Sequence, residues 1–551
     1  MNHLGRMLLL SVVLTIVSAA AWVCLQWTSG SPEPNLWRQE LGLDSLWLTW
    51  TDAEANNDGP ARLVFRGVYA ILLSLELSYN QLGWVTLCSA LLAFLMLARW
   101  IRACIAGRLG ATARTAILLV VCAAMFSPSY GANWLLAERF RMFVPIACLA
   151  AGGLLLRQGR WLPMRYIAAL LFAQIALLTD VRGLWVWVAL LPCCAAIAEG
   201  QRRAAYLAGW VIAGNVGALA SEFSIGAPAS SDASWIVTAI VADPWNYLVE
   251  VVTALGRSLP DLWQGATTDE TVIGTGMLLL FVLTSSLASR RRGVAIAAWW
   301  AMAAFGLGAA LSSTAQLHGI GIDRVTQHEL EWSAIALPIG LIGLVAELGG
   351  ERLHQCLRAF IPVIFVLLVQ DWQRGFTDLT WRHAQLREYE ARLAFYDATE
   401  LDPDKIGPQP FKKSWQRENA RMQGLLDHAK PLDAPLRRLQ SAAAAQPRSS
   451  SGVILKAHDQ TISGHVTNTA EMVWVTKHTQ EQGWQLIQAI PLQPSEQPGI
   501  HSWTLRLAAA SMPIDKTRLT VFAFDLDSRS FIRLAGNVQV INRSFQNKEP
   551  K

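Results

Sequence analysis

Eleven apolar runs constrain what this chain can fold into, near 7–27, 81–99, 115–132, 140–156, 166–180, 183–198, 205–221, 272–289, 294–312, 332–347 and 356–371. Most approach the ~20 residues with which a helix crosses about 30 Å of hydrocarbon. In that solvent every backbone N–H and C=O must be bonded internally, so runs of this kind read as helices. The fold class is therefore an α-helical polytopic membrane protein of about eleven transmembrane helices. Composition agrees, because 53% hydrophobic and 16% charged residues leave too few charges to coat several soluble globules. The 24 tryptophans suit a membrane–water interface. A secreted disulfide protein, a disordered chain and a cytosolic enzyme are excluded. The run at 115–132 is interrupted by Ser127-Pro128, where a helix ends or kinks. The first run, after Met1–Arg6, reads as a retained anchor, because further spans follow it.

Arginine sets the orientation, since every lysine lies from Lys405 onward. With the amino terminus in the cytoplasm, fifteen arginines of residues 1–371 fall on the inside and eight on the outside. That alternation predicts a multi-pass protein of the bacterial inner membrane with its carboxyl-terminal part in the periplasm. The formal charge of +5 sits numerically in that last part and carries no argument for nucleic acid, which is not expected as a partner. All eight cysteines lie before residue 357, mostly inside apolar runs, where a thiol packs as a small hydrophobe. No structural disulfide and no cysteine metal site is expected.

The chain divides into a polytopic domain over 1–371, a helical linker region over 372–450, a small β-sandwich-like soluble domain over 451–543 and a disordered tail over 544–551. The polytopic domain carries two long outside loops, 28–80 and 222–271. Surface-lying amphipathic helices are expected in both, at 61–77 and 235–255. Charged helices are expected at 378–400 and 413–443. Eight alternating runs between Val453 and Ile541 predict the strands. Trp474, Trp484 and Trp503 read as core of that domain, or as platforms on which sugars stack.

Two sets of residues carry candidate chemistry. The first outside loop holds Asp52, Glu54 and Asp58, carboxylates just above the bilayer. A carboxylate there can take a proton from an acceptor hydroxyl or hold a divalent cation near a leaving phosphate; an ordinary polar loop also accounts for them. The second set is arginine on the outside, against the topological bias: Arg139 and Arg141 opening a helix, Arg182 in Thr179-Asp180-Val181-Arg182-Gly183, and Arg324 after Asp323. Guanidinium groups grip phosphate through paired donors. Local Asp180–Arg182 and Asp323–Arg324 ion pairs are the alternative.

The arrangement resembles the C-type (GT-C-like) membrane glycosyltransferase superfamily. The likeness rests on the amino-terminal anchor with its acidic loop and surface helix over Asp52–Leu77 and on Ser127-Pro128 with Asn133-Trp134. Asp180-Val181-Arg182-Gly183-Leu184-Trp185 and Arg324 complete it. It covers residues 7–371. It implies a polyprenyl-phosphate-linked sugar donor, an outward-facing site and inversion at the sugar carbon. Asp52, Glu54 or Asp58 would be catalytic, and Arg324, Arg139 and Arg182 would bind the lipid donor's phosphate. No adjacent acidic pair occurs in the first loop, a departure from the stricter families. An O-antigen-type ligase or polymerase, and a non-catalytic or transporting component of envelope glycan assembly, are the other readings.

Overall fold

The computed structural model describes residues 3–27, 83–105, 111–135, 137–157, 162–197, 200–223, 240–257, 267–290, 293–317, 331–349 and 368–380 of the helical part. Beyond these it describes 452–459, 461–467, 472–479, 483–494, 500–506, 517–525, 530–536, 538–541 and 544–547, with a few single positions and 442–443. The chain forms two compact units, and the first runs through Thr380. The expected surface helix at 61–77 lies outside the described residues, as does almost all of 378–400 and 413–443.

The helices of the first unit are α1 (His3–Gln26), α2 (Gly83–Ile105), α3 (Ala111–Met125), α4 (Gly131–Leu135), α5 (Val144–Leu155), α6 (Leu162–Leu177), α7 (Leu184–Ala189) and α8 (Leu191–Ala196). They continue as α9 (Gly200–Phe223), α10 (Pro244–Arg257), α11 (Thr267–Arg290), α12 (Val294–Leu317), α13 (Ala336–Leu348) and α14 (368–380). Three stretches among the described residues are long and apolar enough to cross a membrane: Gly83–Cys104, Glu270–Arg290 and Val294–Ala315. Five shorter apolar helices accompany them.

Apolar runs and helix lengths differ for local reasons. Helix α3 stops at Met125, two residues before Ser127-Pro128, because proline disfavours the helical conformation of the residue before it. Helix α5 has twelve residues, a rise of about 18 Å. The run at 183–198 is divided between α7 and α8, with Pro192 in the first turn of α8. The run at 332–347 opens as a 3-10 turn, Glu331–Ile335, before α13. Of the two long adjacent helices, α12 is interior and α11 peripheral: 67% of the apolar window of α12 is buried, against 17% for α11.

The second unit is a ten-stranded antiparallel sheet: β1 (Gly452–Asp459), β2 (Thr461–Thr467), β3 (Met472–Thr479), β4 (Gly483–Pro491), β5 (Gln493–Pro494), β6 (Ile500–Arg506), β7 (Thr517–Asp525), β8 (Ser530–Arg533), β9 (Val538–Ile541) and β10 (Ser544–Asn547). Its order is β4-β3-β7-β9-β10-β1-β2-β6-β5, with β8 on β7. Strand β2 buries alternate residues, as one-sided burial requires. Ile462, Trp503 and Leu505 from one half of the sheet share a core with Val473, Val521 and Val538 from the other. One reading changes: residues 544–547 form a strand where a disordered tail was expected, because Phe545 pairs with Asp459 and Val540 and so links β1 to β9. Trp474 and Trp503 are buried, as their reading as core residues expects.

Candidate functional site

The best-defined polar site of the helical unit is built around Arg182. The chain leaves α6 through hydrogen bonds from the Thr179 and Asp180 N–H groups to Ala176 O, each at 3.2 Å. It then turns in a 3-10 helix over Val181–Gly183. Gly183 is required there: a Cβ would collide with the Ala176 backbone. Asp180 Oδ1 accepts the Arg182 backbone N–H at 3.0 Å and lies 3.3 Å from Arg182 Nε. Both side chains are buried. The expected local ion pair is therefore present, and the same carboxylate oxygen is shared with the backbone.

That sharing leaves the guanidinium thinly supported. Nε lacks a hydrogen-bond partner, and Nη1 donates one long bond, 3.4 Å, to Ser333 Oγ. Burial pushes the Arg182 pKa down, Asp180 opposes this, and the positive fields of Arg141 and Arg139 add to the fall. Those two arginines stand on the 3-10 turn Ala137–Met142, where a helix start was expected. Arg139 is buried and Arg141 half-buried. Two turns far apart in sequence thus bring three guanidinium groups into one electrostatic neighbourhood.

An aromatic chain links the Arg139–Arg141 turn to the Glu331–Ile335 turn that carries Ser333. Phe126 stacks on Trp134, with centroids 5.7 Å apart; Trp134 meets Phe143 at 5.4 Å, and Phe143 meets Trp332 edge-on at 4.6 Å. Trp134 and Phe143 bracket the Arg139–Arg141 turn, and Trp332 precedes Ser333. Both indoles are also fixed by hydrogen bonds, Trp134 Nε1 to Ser127 O at 2.9 Å and Trp332 Nε1 to Met125 O at 3.3 Å. Such rings combine large burial with a directional polar tip. Beside them Asp371, the last residue of the polytopic domain as read from the sequence, is buried and accepts the hydroxyls of Ser127 at 2.6 Å and Ser129 at 2.8 Å.

Arg139 and Arg141 thus lie within electrostatic range of Arg182. Asp52, Glu54, Asp58 and Arg324 lie outside the described residues. Among the described residues no group of three or more His, Cys, Asp or Glu side chains is arranged to hold a metal ion. Sequence reasoning missed Ser333, Trp332, Phe143 and Asp371; the tryptophan count was a signal for the buried rings, but nothing local marked the serine. No family model, curated protein or solved structure matches this chain.

Proposed function

We propose that the chain is an integral membrane glycosyltransferase of the C-type kind, taking a sugar from a polyprenyl-phosphate donor at the outer face of the bacterial inner membrane. The observation that carries this reading is the buried, thinly bonded guanidinium of Arg182, with Arg139 and Arg141 beside it. Asp180 pairs with Arg182, yet Nε makes no hydrogen bond and Nη1 makes one long one, so the guanidinium keeps donor capacity for a second anion. A phosphate offers the oxygens that paired arginine donors fit.

The contacts also support one sidedness. Segments that the arginine alternation assigns to the outside touch one another: Ser127 with Asp371, Met125 with Trp332, Arg182 with Ser333, and Trp185 with Ser312. Segments assigned to the inside do likewise, Tyr166 donating to Tyr206 O at 2.7 Å. About eleven spans, a cytoplasmic amino terminus and a periplasmic strand domain belong to this proposal.

In the proposed reaction a first-loop carboxylate, Asp52, Glu54 or Asp58, takes the acceptor hydroxyl proton, with or without a divalent cation held there. The acceptor oxygen bonds to the sugar carbon with inversion. The bond from that carbon to the phosphate oxygen breaks, and its electron pair leaves on polyprenyl phosphate, whose charge Arg139, Arg182 and Arg324 stabilise. The test compares envelope glycans by mass spectrometry in a deletion strain carrying wild type, Arg182→Gln, Asp52→Ala or Glu54→Ala. Wild type should restore a glycan that Arg182→Gln and at least one loop variant do not. Full restoration by all three variants, or no glycan change on deletion, contradicts the proposal.

A further inference from the structure

Helix α10 presents three faces. Asp243 caps it, Oδ1 accepting the Asn246 N–H at 3.2 Å, and Pro244 occupies its first position, where no N–H is needed. Tyr247, Val251 and Leu255 form a buried face. Asn246 and Glu250 form an exposed polar one. Trp245, 72% exposed, stands with Leu248 and Val249 on an exposed apolar face, continued by Val241 just before the helix. A contiguous apolar stripe of this kind marks an interaction surface.

The neighbour of α10 identifies what covers the stripe. The two helices α10 and α11 meet at Gly256 and Gly274, where a Cβ would collide with the opposite backbone at Glu270 and Val252 respectively. The Thr253 and Thr271 hydroxyls meet at 2.9 Å, and Arg257 Nε donates to Glu270 Oε2 at 2.8 Å. Helix α11 contains a stretch long and apolar enough to span a membrane, and Val272, Leu279 and Leu283 on it are exposed. Its open side belongs in hydrocarbon, and α10 is fixed to the end of that helix. Tryptophan favours the boundary between hydrocarbon and headgroups.

The buried face of α10 points the other way. Tyr247 donates its hydroxyl to Leu311 O at 2.8 Å. The next residue, Ser312, accepts Trp185 Nε1 at 2.7 Å, and Trp185 follows Arg182 within one turn. Helix α10 also packs against the Glu331–Ile335 turn that carries Ser333. One helix therefore separates an apolar, outward stripe from the elements that hold the arginines.

We propose that α10 is the lipid-access face of the arginine site: the hydrocarbon chain of a lipid-borne phosphate lies along Trp245, Leu248 and Val249 while its headgroup reaches Arg182. This rests on the proposed phosphate-binding role of Arg182. The full-length protein in phospholipid nanodiscs tests it, with the photocrosslinker benzoylphenylalanine placed singly at positions 245, 246, 248 and 250. Polyprenyl phosphate is then added, and adducts are read by intact mass. Positions 245 and 248 should capture phospholipid and polyprenyl phosphate several-fold more often than 246 and 250. Equal capture at all four positions overturns the placement.

Binding separates the two claims. Trp245→Ser, checked for a wild-type melting temperature, should retain polyprenyl phosphate at least tenfold more weakly; Leu248→Gln serves where Trp245→Ser does not fold. Wild-type retention in those variants, with loss in Arg182→Gln, overturns the access role and leaves the phosphate reading standing. No retention by the wild-type protein overturns the phosphate reading and the access role with it.

Discussion

Ser127 donates its hydroxyl to Asp371 across 2.6 Å, a bond between residues 244 positions apart. It ties the turn after α3 to α14, and Trp372 Nε1 reinforces it by donating to Ala123 O at 2.8 Å. Hydrogen bonds to a charged, buried acceptor are stronger than neutral ones, and removing the acceptor leaves the donor to be buried unsatisfied. Asp371→Ala should therefore destabilise the helical unit by about 1–3 kcal/mol. Ser127→Ala should cost less, and the double variant should cost less than the sum. Thermal unfolding of the detergent-solubilised protein measures this. An Asp371→Ala protein that melts with wild type would show the clasp to be incidental.

Trp332 lies against Phe143 and beside Ser333, so it couples core packing to the arginine site. Truncation to Ala should cost about 3–5 kcal/mol, as expected for a large buried ring. Trp332→Phe keeps most of the packing and loses the bond to Met125 O, a cost of about 1 kcal/mol. Denaturation curves of the two variants should rank them in that order. Equal stability of the two would remove the aromatic chain from the account.

Trp503 is wholly buried in the strand unit, and the Gly464 position has no room for a Cβ against its ring. Trp503→Ala should destabilise that unit by about 3–5 kcal/mol. Limited proteolysis of the full chain should then cut within 452–547 at protease concentrations that leave wild type intact. Unchanged resistance would place this indole outside the core.

Sidedness is open to a direct test. Helix α10 has fourteen residues, about 21 Å of rise, and reads as interfacial; as a span it would reverse every later segment. Alkaline phosphatase, active only outside the cytoplasm, should be inactive when fused after Arg292 and active when fused after Lys551. The opposite pair of results would invert the second half of the topology.

Much of this was readable along the chain. Hydropathy located helices at α1, α2, α11 and α12, because a long apolar run has few other ways to satisfy its backbone. It did not give the lengths of α3, α5, α8 and α13, which depend on Pro128, Pro192 and the 3-10 turns before α5 and α13. Alternation located eight of the ten strands. Strand β5 has two residues, too short for a period of two to register, and β10 lies in a polar stretch whose pairing with β1 and β9 leaves no local signal. Arg139 and Arg182 stood out because outside arginines oppose the charge bias. Their shared neighbourhood did not, since the Arg139 turn reaches Ser333, the partner of Arg182, only through rings up to about two hundred positions apart, Phe126 to Trp332. Asp371 drew no notice at the domain boundary because burial by two distant serines leaves no local trace.

The central claim is that the buried arginines hold the phosphate of a lipid. Native mass spectrometry of the full-length protein released from nanodiscs containing polyprenyl phosphate measures this directly, with Arg182→Gln and Arg182→Lys beside wild type. Wild type should carry one polyprenyl phosphate. Arg182→Gln should lose it by at least tenfold, about 1.4 kcal/mol. Arg182→Lys should fall between, because a point charge cannot reproduce the paired donors. Equal occupancy in all three proteins, each folded as judged by its melting temperature, would contradict the account.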